Sequence, residues 1–169
     1  GIFDRDHKQL FLVSELSNQV FVYSLTEDAA AGTDSSHNSI SLPDFSMRLL
    51  HICSILPSDA VYEEPPASAA IRLSPDERFL YVSTRFAEVI TVFKIDHGCL
   101  AQIQQTGCGG IHPRDMVLTP DGRYLLVANR TRGGLVSFQI NQETGRLMDI
   151  CSRVPAPEAV SIVLSQHTI

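Results

Sequence analysis

Apolar positions along this chain fall in short runs bounded by turn residues rather than at helical spacing, which predicts strands throughout. Phe79 to Ser83 and Tyr124 to Ala128 are nearly continuous apolar runs, as expected of strands buried on both faces. Val89 to Ile95 and Leu135 to Ile140 alternate, so each should have one packed and one wetter face. Ala69 to Leu73 and Asp115 to Leu118 each lead into a Ser/Thr-Pro-Asp turn, where proline presets φ and aspartate bonds its own backbone. Weaker strands are expected at Leu100 to Gln104 and Leu147 to Cys151.

These strands belong to a repeat. Ser74 to Ile95, SPDERFLYVSTRFAEVITVFKI, returns 45 residues later as Thr119 to Ile140, TPDGRYLLVANRTRGGLVSFQI, without a gap. A third, more divergent copy lies 70 residues upstream, where Asp6, Leu10, Val22 and Leu25 stand opposite Asp76, Leu80, Val92 and Ile95. Four short strands in about 45 residues is the arithmetic of a β-propeller blade. The fold class is therefore all-β, with blades of four antiparallel strands.

Propellers close with about four to eight blades, and three are legible here, so the chain reads as a partial ring. Blade one covers 1–56 with an insertion over 28–45, its inner strand reduced to Gly1 to Asp4 and its outer strand at Met47 to Ile55. Blade two covers 67–106, blade three covers 112–152, and Ala159 to Leu164 reads as a closing strand after Pro155 and Pro157. Ala29 to Asn38, small and polar, reads as a disordered or surface insertion.

Composition narrows the partners. The formal net charge of -6 disfavours nucleic acid and anionic membrane surfaces, and no apolar run approaches the ~20 residues that span a bilayer. Cys53, Cys99, Cys108 and Cys151 are widely spaced, with no C-x-x-C pair; this predicts reduced, mostly buried thiols, no metal site and a cytoplasmic protein. Gly107-Cys108-Gly109-Gly110 lacks the context of a phosphate loop and reads as a flexible connection between blades. Asn129-Arg130-Thr131 fits a glycosylation tripeptide, a pattern common by chance.

Chemistry emerges when the repeat is used to compare geometric addresses. The end of the second strand carries Glu15, Arg85 and Arg130 in successive copies. The turns that follow should open on the same face as the loops between blades, one of which holds His112-Pro113-Arg114-Asp115. Glu15, Arg85, His112, Arg114 and Arg130 should therefore ring one mouth of the funnel. Arginines there can bind carboxylate or phosphate and stabilise an oxyanion, while a glutamate or histidine moves a proton. Arg78 and Arg123, in the opposite turn, read as structural. Arg130 could equally pair with an acidic neighbour, and His112 could simply fix its loop.

The segments SELSNQVFVYSL, SAAIRLSPDERFLYVSTR, HPRDMVLTPDGRYLLVANR, INQETGRL and VPAP resemble the C-terminal part of the lactonase family of seven-bladed β-propellers. That family includes the propeller-type 6-phosphogluconolactonase and carboxy-cis,cis-muconate cyclase. The resemblance implies Glu15 and Arg85 as catalytic residues, with a further histidine and arginine on blades upstream of Gly1. Ser14 and Thr84 stand where the family commonly has asparagine. His112, Arg114 and Arg130 are candidates for substrate binding. The implied substrate is a small anionic lactone or a polycarboxylate, opened by hydrolysis or closed by cyclisation, with no cofactor and no metal. The implied partners are the missing N-terminal blades of the same protein, without which these 169 residues should show little activity. A propeller can also be a rigid, non-catalytic platform for a partner protein, because fold alone does not decide function.

Overall fold

The computed structural model describes residues 1–28 and 44–165, and in these the chain forms three four-stranded antiparallel sheets and no helix. The first sheet runs β1 (Ile2–Phe3), β2 (Gln9–Ser14), β3 (Gln19–Asp28) and β4 (Asp44–Ser54). The second runs β5 (Ala67–Leu73), β6 (Phe79–Arg85), β7 (Val89–Asp96) and β8 (Cys99–Gly107). The third runs β9 (Ile111–Leu118), β10 (Tyr124–Arg132), β11 (Gly134–Ile140) and β12 (Leu147–Val154). Each sheet is a meander in chain order, as a propeller blade requires. The reading of Ala29 to Asn38 as an insertion lies outside the described residues; the β3–β4 ladder extends as far as Asp28↔Asp44.

Two seams hold the blades together. In the first, Phe11, Val20, Val22 and Ile55 meet Ile71, Leu80, Val82 and Phe93. In the second, Phe79, Tyr81, Ile90 and Val92 meet Met116, Leu125, Val127, Val136 and Phe138. Alternate residues of β6 thus point into opposite seams, which is why its apolar run is continuous and every residue is buried. The same buries Ile90, Thr91, Val92 and Phe93 of β7 on both faces, correcting the wetter face expected for that strand. β10 departs in the other direction. Leu125 and Val127 are buried against the second blade, but Tyr124 and Leu126 are half-buried because no described sheet covers their side.

The Ser/Thr-Pro-Asp turns explain the register at one end of each blade. Phe79 N donates to Ser74 Oγ at 3.0 Å, and the Ser74 hydroxyl donates to Asp76 Oδ1 at 2.6 Å. Thr119 repeats this, accepting from Tyr124 N at 3.1 Å and donating to Asp121 at 2.5 Å. Glu77 and Gly122 take the left-handed position of the two turns, at φ 60° and 68°. Burial pushes the Asp76 carboxyl up, yet hydrogen bonds from Ser74 and Arg78 and the Arg78 charge outweigh it and hold the group below its ordinary value. The neighbouring Arg78 donates to Gln142 O at 2.7 Å on the third blade, consistent with a structural role at that end.

Residues 159–164, expected to be a closing strand, form no ladder with any described strand. A strand needs a partner edge, and here the segment is held by isolated bonds: Glu158 N donates to Arg130 O at 3.2 Å and Ile162 N to Asp115 Oδ2 at 3.0 Å.

Candidate functional site

A four-residue turn joins the second and third strands of every blade, closed by the pairs Ser14↔Gln19, Thr84↔Val89 and Asn129↔Gly134. Glu15, Arg85 and Arg130 take its first position. Asn18, Glu88 and Gly133 take its last, all left-handed, at φ 50°, 56° and 101°. The carbonyls of Asn18 and Glu88 accept the amides of Ile55 and Cys108, the residues that leave the outer sheet edge, at 2.9 and 2.8 Å. These turns and the blade-to-blade connections therefore open on one face.

Arg85 is the best-buried charge there, with a side chain only 9% exposed. Its Nε donates to Ala67 O at 3.3 Å and its Nη2 to Glu15 Oε1 of the preceding blade. Glu15 is 61% exposed, so the arginine is the fixed member of this ion pair and the carboxylate the accessible one. Both line an open cleft of about 390 Å³, together with Ser68 and Arg114. The cleft brings one carboxylate and two guanidinium groups to the seam between the first and second inner strands.

His112 and Arg114 lie within β9, not in a loop as expected. A register shift between Ala128 and Asn129 of the neighbouring strand brings Pro113 opposite Asn129 and keeps the segment in the ladder, and an inner edge strand tolerates proline because its N–H is not required there. The His112 ring meets the Phe86 ring edge-on at 5.4 Å, and the Arg85 guanidinium stands 5.9 Å from the centre of the other side of that contact, the Phe86 ring. Burial lowers the imidazole pKa, the charges of Arg85, Arg114 and Arg130 lower it further, and Glu88 opposes them. His112 is thus neutral near pH 7, with an Nε2 that is buried and has no hydrogen-bond partner among the described residues.

Arg130 turns elsewhere. Its Nε pairs with Glu158 at 3.3 Å, and it lines a separate cleft of about 540 Å³ with Arg132 and Arg153. Glu158 N reaches Arg130 O just as Ser68 N reaches Glu15 O, at 2.9 Å, so the C-terminal segment starts along the path that β5 takes from the first blade. Asn129 beside it is fully buried, with Nδ2 donating to Cys108 O at 3.3 Å, and is inaccessible to glycosylation.

The Gly107–Gly110 connection is tight rather than flexible. A side chain on Gly133 would come within 2.7 Å of Gly110 Cα, and one on Gly110 would meet the Asn129 amide. Only glycines allow these backbones to cross so closely. The four cysteines are all free, but Cys99 and Cys151 are exposed, against the expectation of mostly buried thiols; each lies on an outer strand facing away from the seams. Among the described residues no His, Cys, Asp and Glu group has the arrangement of a metal site, and no helix is long and apolar enough to cross a membrane.

Sequence reasoning missed the groups that brace the site. Asn18 links the first turn to the second blade through Pro66 O at 2.9 Å and the Ser68 hydroxyl at 2.9 Å. Glu88 does the same for the third blade, accepting from His112 N at 2.5 Å. Arg72 of β5 pairs with Asp115 of β9 at 2.5 Å, joining the second and third inner strands. The available signal was the last position of the four-residue turn, whose residue type changes from copy to copy.

The fold defines a β-propeller, with one carboxylate and two guanidinium groups lining a cleft on its turn face. A family model, the seven-bladed β-propeller lactonase, matches residues 1–164, and the chain belongs to that family. It is 30% identical to the 6-phosphogluconolactonase of Bacillus subtilis over 95% of its length, covering 42% of that protein. Among solved structures it is similar to a Lactobacillus plantarum protein, at TM-score 0.77 and 30% identity over 94% of this chain and 42% of that one. It is also similar to a periplasmic gluconolactonase of Pseudomonas aeruginosa, at TM-score 0.77 and 25% identity over 95% of this chain and 42% of that one. The chain thus spans about two fifths of the length of these relatives, as expected of part of a seven-bladed ring.

Proposed function

We propose that this chain supplies part of the active site of a propeller enzyme that hydrolyses an anionic sugar lactone of the 6-phosphogluconolactone type. The observation that carries this reading is the convergence on one cleft of Glu15 and Arg85, 70 residues apart in equivalent turns, with Arg114 from the third blade's inner strand. Family membership and the name of the B. subtilis relative support the substrate class. No specific feature favours the cyclase reaction. A protein-binding platform is not favoured either: Phe86 packs against His112, and Leu16 is a single exposed apolar side chain in these turns, which is ordinary at a surface.

In this scheme Arg85 and Arg114 hold the anionic group and polarise the lactone carbonyl. Binding of the anion to the fixed Arg85 displaces the exposed Glu15 carboxylate, which then takes a proton from water. The water oxygen bonds to the carbonyl carbon, the ring C–O bond breaks, and the leaving alkoxide regains a proton, so that the product is the open hydroxy acid. We assign neutral His112, separated from Arg85 by the Phe86 ring, as a second proton carrier. The test is lactone opening by the full-length protein and by R85A. Turnover that R85A leaves unchanged removes Arg85 from the mechanism, and no turnover of any anionic lactone by the wild type removes the reading.

A further inference from the structure

We infer that Glu88 is a positioning residue that holds His112 against Phe86, on the side of Arg85 away from the cleft lining; the chemistry His112 then serves rests on the lactone reading above. The two oxygens of one carboxylate are used on two different elements. Glu88 Oε1 accepts from Phe86 N at 3.2 Å within its own turn, and Oε2 accepts from His112 N at 2.5 Å on β9 of the next blade. Phe86, Glu88 and His112 are all left-handed, at φ 67°, 56° and 65°. Such backbone is uncommon away from glycine and an outlier for a bulky residue like phenylalanine, and it persists where surrounding structure over-determines it, often at functional sites. Here one carboxylate binds the amides of both Phe86 and His112, while the Glu88 carbonyl accepts from Cys108 N at 2.8 Å.

The consequence is that Glu88 sets an edge-on ring contact. The Phe86 ring touches the His112 ring on one side and lies 5.9 Å from the Arg85 guanidinium carbon. Fixing the two amides therefore fixes the imidazole relative to Arg85. The repeat supplies an internal control. Asn18, at the same address one blade earlier, also braces the next inner strand, through Pro66 and Ser68, but does so with a neutral amide. In the second seam the brace is an anion. It is the negative charge that opposes the effect of Arg85, Arg114 and Arg130 on the imidazole. Its charge thus has a second effect that a structural brace alone would lack.

The test follows the His112 imidazole by NMR titration of the full-length protein, its resonance assigned by its loss in H112Q, in wild type, E88Q and E88A. With the anion gone, the His112 midpoint should fall below its wild-type value in both variants, and the His112 amide proton should lose the shift given by a short bond to carboxylate. Lactone turnover should fall by up to ~100-fold, as small misplacements of catalytic groups cost, with the loss in kcat rather than KM. If E88A does not fold, E88Q keeps the side-chain size and decides the matter. An unmoved midpoint and amide shift in E88Q overturns the proposal. A wild type without lactone turnover whose His112 midpoint still falls in E88Q removes the lactone reading and leaves the positioning role standing.

Discussion

Glu15 and Arg85, 70 residues apart, occupy the same position of successive blades and meet in an ion pair across the seam between them. The pair is asymmetric. Arg85 is anchored on Ala67 O and nearly enclosed, whereas most of Glu15 faces solvent. An enclosed guanidinium with one exposed carboxylate partner is a ready exchange site for another anion, because planar, fixed donors favour bidentate binding.

That asymmetry separates activity from stability at position 15. Glu15 is the exposed member of the pair, and the glutamine oxygen of E15Q can still accept from the enclosed Arg85, so E15Q should shift the urea midpoint only modestly. Lactone turnover, by contrast, should drop on the order of 100-fold or more, as for loss of a proton-transfer group. A large loss of stability with turnover intact would identify Glu15 as a brace rather than a base.

Arg85 should behave differently, because its side chain is both enclosed and bonded to backbone. R85A leaves the Ala67 carbonyl without that donor, a cost of about 1–3 kcal/mol for a buried group, and should lower the denaturation midpoint as well as abolish turnover. R85K should restore part of the stability but little of the activity, since an ammonium cannot replace a planar fork. Equal rescue of both by lysine would argue against bidentate binding.

Most of the fold was legible in the sequence because its signals are periodic. The two close copies align without a gap, so one strand assignment serves twice, and β6 announced its double burial by a run with no polar break until Ser83. The site was legible only as an address. Comparing copies located Glu15, Arg85 and Arg130, but could not tell that Arg130 turns to Glu158, since that depends on where the segment after Pro157 runs. Nor could it place His112 in a strand, because the bulge that leaves Arg114 unpaired and sets Pro113 opposite Asn129 depends on the register with β10. Glu88 escaped notice for a related reason: its partners are backbone amides, which carry no residue signature.

The cysteines should divide by environment. Burial pushes the Cys108 thiol up to about 11 and also raises Cys53, while Cys99 and Cys151 are exposed. Since the thiolate is the reactive form, an aromatic disulfide reagent at neutral pH should titrate two thiols quickly and the other two only on unfolding. C99S and C151S should each remove one fast equivalent; fast labelling of Cys108 in the native protein would contradict the packing of the second seam.

His112 should make both turnover and stability depend on pH below neutrality. Its pKa lies below the ordinary 6.5, through burial first and then the surrounding arginines. Between that lowered value and 6.5 the unfolded chain binds more protons than the folded one, so stability rises with pH through this window and is lost as the pH falls through it. The carboxyl of Asp76 acts in the same direction but below 3.8, well separated from the histidine. Urea midpoints measured between pH 7.5 and 5 should therefore decline in the wild type and flatten in H112Q. If neutral His112 carries a proton during turnover, kcat/KM should lose its acid limb in the same variant; a limb that persists at the same pH in H112Q would assign it to another group.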